Sequence, residues 1–546
     1  MGAKIRGFIV NWLYNFIQLL HNLKNIGFEQ FICQKSIINF CNSAKLSLSL
    51  CPLIIERMKL NALLFIIPVL FLASCSERVS NATNDASLPD IYPDYVDVTI
   101  PVGIAPLNFG MKSDDALLVD AVVTDTKGNT LHGQGGETTD FDIDDWHELV
   151  AQNAGESLTV TVSAKFDDGW HTYKPFNFYV STDSIDYGLC YRLIEPGYEV
   201  WSKMGIYQRN LSNFEQTPLI ENTQFEGCVN CHSFNRGDPT RMSLHIRGAH
   251  GATLLLDEGR LTAYNTKTDK TLGFCVYPFW HPSGKYIAYS TNTTQQTFHT
   301  RSANRIEVFD VASDIQVYDV EKNQLIITPS LKTDSLYETF PVFSADGRTL
   351  YFTAARALPE GNLDLDSVRY SLYSIDFDAE KGTYGSSIRT VIDNGDSCSI
   401  CFPRPSYDGR FLVYSVADYG QFSIWHHEAD LWILDLQTGE RRPMDMINSK
   451  DTESFHNWSR NSRWMVFSSR RDDGLFTRPY FTHIDAEGHA TKPFMLPQQN
   501  PRRFYRELFL SYNTPDFIRG KVDFDNVTAT RLINDDYRKP MGVVEK

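Results

Sequence analysis

Apolar and polar residues alternate along much of the chain after residue 92, and this period of two predicts β-strands. Between residues 251 and 510 the alternation forms a repeat of roughly 53 to 63 residues. Each copy starts with an aromatic residue, passes through a tight turn and ends in an apolar strand that closes with Ser or Thr. The copies begin at Tyr277, Phe340, Phe402 and Phe455.

This repeat predicts the blades of a β-propeller. The turn joins two antiparallel strands, and a single blade cannot cover its own apolar faces, so several blades must stack. Four copies give four blades. Strand-like sequence at 252–264 and after residue 493 predicts a fifth blade that closes the ring, with six blades as the alternative. The expected propeller spans 251–510, and a C-terminal tail covers 511–546.

Residues 93–182 are a second region of alternating sequence, with Gly- and Asp-rich turns between short apolar runs. They predict a small β-sandwich, and an immunoglobulin-like fold is the expected arrangement. The fold class is therefore all-β. Residues 183–250 show few clear strands. We expect them to form a loop- and helix-rich connecting module between the two β regions.

A lipoprotein leader precedes these domains. Lys59 begins a short cationic stretch, an apolar run covers 62–72, and Cys75 ends the small-residue sequence Leu-Ala-Ser-Cys. This order predicts a signal peptide at 58–74, a lipid on the thiol of Cys75 and a flexible tether at 75–92. A buried apolar helix is the alternative for the apolar run. Residues 1–57 are expected to be an artefact of the assigned start or a true extension.

The charge of the chain limits its partners. The formal net charge is −16, and residues 75–546 carry 44 Lys and Arg against 65 Asp and Glu. A chain this acidic repels nucleic acid and anionic lipid. We therefore expect no nucleic-acid partner, and membrane attachment through the lipid on Cys75. The expected location is the bacterial cell envelope, on either face of the outer membrane, with a protein partner of open identity.

One motif carries recognisable chemistry. Cys228, Cys231 and His232 form a Cys-x-x-Cys-His sequence. Two thiols at this spacing can each bond to a haem vinyl group, and the adjacent imidazole can bind the iron. The motif predicts one covalently attached haem c, with His232 as the proximal ligand of the haem iron.

The distal haem ligand and the nature of the motif are open. His245 is the expected distal ligand, and Met242 is the alternative. Without haem, the two cysteines could form a disulfide or a thiol pair in a loop. A zinc site completed by His245 or His250 is a third possibility.

Two other clusters contain residues that could carry chemistry. Cys398 and Cys401 lack a following His and are expected to be packed thiols or part of a disulfide, with a redox-active pair as the alternative. The His-His-Glu sequence at 426–428 could bind a metal, but we expect it to be a solvated loop.

The repeats at 275–470 resemble the TolB-type propeller repeat. Further segments are similar to Bacteroidetes TolB-like lipoproteins, a family often labelled as related to cytochrome c or its biogenesis. These segments are 191–198, 207–211, 228–234, 456–458, 468–474 and 511–513. The resemblance implies a lipid-anchored propeller protein without a defined activity. Only about 36 residues follow Leu510 and no Gly-x-Ser-x-Gly elbow occurs, so a hydrolase is not expected.

Two functions follow from the sequence. The first is a redox or electron-transfer accessory protein that carries a single haem c. The second is a non-catalytic binding scaffold for a protein, peptide or glycan, in which the Cys-x-x-Cys-His sequence is structural. Catalytic residues are expected in neither case. A haem absorption band that survives denaturation and acid-acetone extraction distinguishes the two.

Overall fold

The computed structural model describes residues 77–196, 203–300, 302–362, 364–535 and 537–546. The extension at 1–57, the predicted signal peptide at 58–74 and the lipidation site Cys75 lie outside these residues. Strands far outnumber helices in the described part, which confirms the all-β prediction. None of the described helices is long and apolar enough to cross a membrane.

The N-terminal region is one main β-sheet with a helix packed on it. Its elements are β1 (Thr83–Asn84), β2 (Ile91–Tyr92), β3 (Val98–Pro101), β4 (Gly110–Met111), β5 (Leu118–Thr124), β6 (Thr130–Gly135), α1 (Ile143–Gln152), β7 (Ser157–Phe166), β8 (Gly169–Thr172) and β9 (Phe176–Ser181). Strand β7 is central: it pairs with β5 along one edge, and with β9 and then β8 along the other. Because β7 forms hydrogen bonds along both of its edges, these strands belong to one sheet and not to two facing sheets.

Helix α1 closes the core of this region. Asp142 caps the helix by accepting hydrogen bonds from the backbone N–H groups of its first turn. The buried Trp146 ring lies edge-on against Phe178, with ring centroids 6.0 Å apart. Its Nε1 donates to the carbonyl of Ile104 at 2.9 Å. The alternation at 93–182 thus corresponds to real strands, but the immunoglobulin-like arrangement is not shown.

The rest of the chain forms six blades of four paired strands each, and one bridge between Ser313 and Tyr337 links the third and fourth blades into a single hydrogen-bonded sheet. The strands are β10 (Gly188–Ile194), β11 (Gly205–Asn210), β12 (Gln216–Glu221) and β33 (Ser511–Ile518) in blade 1; β13 (Cys228–Phe234), β14 (Arg241–Arg247), β15 (Ala252–Asp257) and β16 (Arg260–Asn265) in blade 2; β17 (Cys275–Trp280), β18 (Tyr286–Phe298), β19 (Ile306–Asp319) and β20 (Gln324–Ile327) in blade 3; β21 (Leu336–Phe343), β22 (Thr349–Arg356), β23 (Ser371–Asp378) and β24 (Thr383–Ile392) in blade 4; β25 (Ser399–Pro405), β26 (Phe411–Ala417), β27 (Asp430–Asp435) and β28 (Arg441–Pro443) in blade 5; β29 (Glu453–Trp458), β30 (Trp464–Ser469), β31 (Arg478–His483) and β32 (Phe494–Met495) in blade 6.

These blades form a closed propeller. The inner strands β33, β13, β17, β21, β25 and β29 lie side by side in that order, and β33 contacts both β29 and β13. The ring therefore has six blades, the alternative that the sequence left open, and not five. Blade 1 supplies the extra blade, because β10 pairs with β33 although more than 300 residues separate them. This pairing joins the two ends of the propeller and leaves no inner gap in the ring.

Two expected segments take a different form. Residues 183–250 are not a loop- and helix-rich module, because they supply strands β10 to β14. Residues 511–546 are not only a tail. Besides β33 they contain α3 (Asn526–Asn534), β34 (Lys539–Pro540) and β35 (Gly542–Glu545), and the last two strands run parallel to β16 and β20. The remaining helix, α2 (Pro501–Glu507), precedes β33.

Every inner strand has a β-bulge at the same place. The register with the neighbouring strand shifts there in all six blades. One residue at each bulge has a positive φ, which non-glycine residues rarely adopt. These residues are Cys231 (33°), Tyr277 (51°), Phe340 (48°), Phe402 (51°), Phe455 (47°) and Thr514 (46°). The repeat seen four times in the sequence therefore occurs six times in the structure.

The N-terminal region packs on blade 6. The Tyr95 hydroxyl donates to the Met495 carbonyl at 3.2 Å, and the Lys492 ammonium lies 2.8 Å from the Asp94 carboxylate. Apolar residues of both parts belong to one continuous buried cluster. The N-terminal region is thus fixed against the outside of the ring, away from the inner strands.

Candidate functional site

A cavity of about 540 Å³ lies along the axis of the propeller. It is lined by the inner strands of all six blades, including the three motif residues Cys228, Cys231 and His232. A volume of this size is within the range of small-molecule sites, which is about 300 to 1,000 Å³. We call this space the central channel.

Aromatic side chains from four of the bulges line the channel and contact one another in sequence around it. The ring centroids of Tyr277 and Phe340 are 4.7 Å apart, those of Phe340 and Phe402 are 5.5 Å apart, and those of Phe402 and Phe455 are 5.1 Å apart. The two remaining bulge positions hold smaller residues, Cys231 and Thr514. We call these four rings the aromatic waist, and we call the positions of Cys231 and Thr514, which carry no ring, its gaps.

A long hairpin covers one end of the channel. Strands β18 and β19 are 13 and 14 residues long, about twice the length of most other strands in the ring. Thr294, Gln295 and Val308 of their extended part line the channel. The hairpin reaches blade 5, where the Asn304 amide donates to Glu428 at 3.1 Å. We call this extension the flap.

A buried ion pair fastens the flap to blade 5. His426 Nε2 lies 3.4 Å from Glu307 Oε1, and its Nδ1 lies 3.0 Å from Glu428 Oε1. Burial alone would lower the pKa of His426, but the two carboxylates outweigh burial and raise the pKa to about 9. Burial would likewise raise the pKa of Glu428, but the hydrogen bond from His426 helps to lower it to about 2. The contact is therefore charged at neutral pH.

The interior of the channel is positively charged. Arg192, Arg236, Arg247 and Arg404 line it, and Asp516 is the one carboxylic acid among the described lining residues. Burial raises the pKa of Asp516 to about 7, so this acid is only partly ionised at neutral pH. The channel thus carries excess positive charge although the whole chain is strongly acidic.

The cysteine motif lies on an inner strand and follows the propeller repeat. Cys231 occupies the bulge position, and His232 takes the next position, which is Pro in four blades and His456 in blade 6. His232 Nε2 lies 3.3 Å from the Cys190 carbonyl of blade 1, and His456 Nε2 lies 2.9 Å from the Val413 carbonyl of blade 5. Both histidines therefore contact the preceding blade in the same way. Burial lowers the pKa of His232 to about 4, so its ring is neutral.

This arrangement does not fit a haem held by all three motif residues. Val229 is buried in the cluster between blades 1 and 2, so its neighbour Cys228 faces the other side of the strand, opposite Arg247. His232 faces blade 1, where its Nε2 is engaged by a carbonyl. A haem bonded to both thiols and ligated by His232 would require β13 to leave its present register.

The proposed distal ligands lie apart from each other. Met242 belongs to the buried cluster between blades 1 and 2, on the face that His232 shares. His245 lies on the opposite face, where its ring centroid is 5.5 Å from that of Phe274. His232 and His245 are therefore on opposite sides of the sheet of blade 2. Within the described residues no group of three His, Cys, Asp or Glu side chains is placed to hold a metal ion.

The other two clusters are structural in this fold. Cys398 and Cys401 are free thiols, and the buried Cys401 Sγ lies 3.3 Å from the Gly420 carbonyl. The expectation of a solvated loop at 426–428 is wrong, because His426 is completely buried in the contact with the flap. His427 Nδ1 lies 3.0 Å from Asp451 Oδ1. His426 is buried because it pairs with the buried carboxylate of Glu307, which comes from a distant strand. No local sequence pattern indicates that contact.

Comparisons with known proteins give no identity. No protein-family model and no curated protein matches the chain. Among solved structures, Kuenenia stuttgartiensis hydrazine synthase aligns at 13% identity with a TM-score of 0.31, over 49% of this chain and 65% of that one. Galerina marginata prolyl oligopeptidase B aligns at 9% identity with a TM-score of 0.33, over 68% of this chain and 52% of that one. The Dos1 propeller aligns at 11% identity with a TM-score of 0.28, over 70% of this chain and 92% of that one.

The chain spans less than two thirds of the length of the first two structures. Similarities this low carry no argument about activity. The assignment to TolB-like lipoproteins therefore stays a prediction, and the propeller itself follows from the strand pairing described above.

Proposed function

We propose that this protein is a non-catalytic binding scaffold of the bacterial cell envelope, and that its central channel holds a small-molecule ligand. The single observation that carries the proposal is the channel itself: about 540 Å³, lined by aromatic rings and four arginines. Sites for small molecules combine an apolar concave surface with a few polar groups that fix orientation. The channel has both.

The proposal includes the location predicted from the sequence. The lipid on Cys75 would hold the propeller at the membrane through the tether at 75–92. The acidic exterior would keep the domain away from anionic lipid headgroups. A protein partner would dock on the outside of the propeller or on the N-terminal region, since the channel is too narrow for a folded chain.

The two small bulge residues provide the test. Cys231→Phe with Thr514→Phe places in blades 1 and 2 the residue that blades 4 to 6 already have at this backbone conformation. The double variant should fold and its channel should be filled. The control Thr514→Ser leaves the gap open.

Wild-type protein and both variants are equilibrated by dialysis against a metabolite extract of the source cells, and bound compounds are identified by mass spectrometry. We expect wild type and Thr514→Ser to enrich the same compound, and the filled variant to lose it. Equal enrichment by the filled variant would show that the ligand binds elsewhere. No enrichment by the wild type would count against a small-molecule scaffold.

Covalent haem attachment is the second candidate. The spacing of Cys228, Cys231 and His232 favours it, although attachment through all three residues would require β13 to change its pairing. Expression in a host with a complete cytochrome c maturation system decides between the two. A haem band that stays with the denatured chain, and that Cys228→Ser with Cys231→Ser abolishes, would establish a redox role. Colourless wild-type protein from that host would exclude the haem candidate, and the binding scaffold would remain as the proposed function.

A further inference from the structure

Arg247 is the positively charged side chain of the channel that lies beside the cysteine motif. It lies at the end of β14, opposite Cys228, and lines the channel below the flap. Its neighbours in the channel lining include Tyr277, Cys231 and Cys228, none of which is a carboxylic acid.

Two acids, Asp310 of the flap and Asp516 of the channel lining, offset the positive charge of the channel only in part. Asp310 interacts with Arg247, but burial raises the pKa of Asp310 to about 7, and the Asn292 amide donates to this carboxyl at 2.9 Å. Asp516 accepts hydrogen bonds from the Asn457 amide at 2.8 Å and from the Phe234 backbone at 3.2 Å. Both acids are thus only partly ionised at neutral pH, and each already accepts a hydrogen bond from an amide. A half-buried guanidinium that lines a cavity without a fully ionised carboxylate beside it favours an anion from outside the chain.

The aromatic waist lies directly beside this charge. Tyr277 lines the channel together with Arg247 and is one of the four rings. The Arg404 guanidinium lies 3.9 Å from the Phe402 ring centroid and packs against one face of that ring. Flat aromatic bodies are held by such rings in edge-to-face or offset contacts. The gaps at Cys231 and Thr514 provide the space for one.

From this juxtaposition we propose that the ligand of the channel is an aromatic carboxylate, with its carboxylate at Arg247 and its ring in the gap of the aromatic waist. This proposal rests on the proposed function. A guanidinium binds a carboxylate through two parallel hydrogen bonds. A phosphate ester presents similar oxygen geometry with a second negative charge, so it is the competing ligand class that the experiment must distinguish.

The test uses three probes that share one ring system: indoleacetate, the neutral indoleacetamide and the doubly charged indoxyl phosphate. Each is titrated by calorimetry into the wild-type protein and its variants at neutral pH. Arg247→Gln removes the charge, Arg247→Lys keeps the charge without the planar fork, and the exposed Arg348→Gln is the control. Circular dichroism checks that each variant is folded.

We expect wild type and Arg348→Gln to bind indoleacetate about ten- to a hundredfold more tightly than indoleacetamide, the range for hydrogen bonds to a charged group. Arg247→Gln should bind both equally, and Arg247→Lys should retain part of the preference. If Arg247→Gln does not fold, the Arg247→Lys result decides.

Three results would overturn the proposal. Equal binding of acid and amide by the wild type would exclude a carboxylate while leaving a ligand-binding channel. Tighter binding of indoxyl phosphate would assign a phosphate ester. If no probe binds, the aromatic carboxylate class is excluded, and the proposed function is then judged separately by the dialysis experiment with the filled channel.

Discussion

The buried pair between His426 and Glu307 should make the stability of the protein depend on pH. Both side chains are almost fully inaccessible, and the pKa of His426 is raised from 6.5 to about 9. Each pKa unit corresponds to about 1.4 kcal/mol, so the shift is worth about 3 kcal/mol. The pKa of His426 is higher in the folded state than in the unfolded state. The contribution is therefore complete below pH 6.5 and is lost as the pH rises through 9.

His426→Gln removes the titrating group and keeps a side chain of similar size. Unfolding in guanidinium chloride is measured at pH 6, 7.5 and 9.5 for wild type, His426→Gln and the exposed control His489→Gln. We expect the unfolding free energy of wild type and control to fall by about 3 kcal/mol more than that of His426→Gln across this range. Backbone amides of the flap should also exchange faster in His426→Gln. Identical pH profiles for wild type and His426→Gln would refute the reasoning.

Other expected outcomes test the fold and the motif. Trp458→Ala should lower the unfolding free energy by about 3 to 5 kcal/mol, since the ring is buried and its Nε1 donates to the Arg404 carbonyl at 3.0 Å; denaturant titration measures this. A chain that ends before Ser511 lacks β33 and should lose cooperative thermal unfolding, whereas removal of 542–546 alone should leave it. His232→Gln and His456→Gln should destabilise by similar amounts, about 1 to 2 kcal/mol, because both lose one buried bond to a carbonyl; a far larger effect at His232 would indicate a role beyond the repeat.

The sequence predicted the propeller because four blades carry the full repeat. An aromatic residue, a tight turn and an apolar strand recur at Tyr277, Phe340, Phe402 and Phe455, and each blade forms from a continuous stretch of chain. Blades 1 and 2 do not show the full repeat because Thr514 and Cys231 replace the aromatic residue, so the sequence predicted one closing blade from 252–264 and the residues after 493 where the structure has two. The signal was present in the next positions, where His232-Ser233-Phe234 follows the same order as His456-Asn457-Trp458.

The site was the part that the sequence could not show. The Cys-x-x-Cys-His spacing is visible in the sequence, but the faces to which Cys228 and His232 point depend on the pairing of β13 with β14 and on its bulge. The arginines of the channel come from blades 1, 2 and 5 and share no local pattern. His426 and Glu307 meet although 119 positions separate them.

What the sequence determined by itself is therefore the alternation that makes strands, the turn chemistry that makes blades, and an acidic exterior. These depend on neighbours along the chain. The tertiary structure alone decided the number of blades, the closure of the ring by β33 and the positive channel at its centre. The reason is physical: closure and the channel arise only when strands distant in sequence pack around one axis, and burial there changes the charge that each side chain carries.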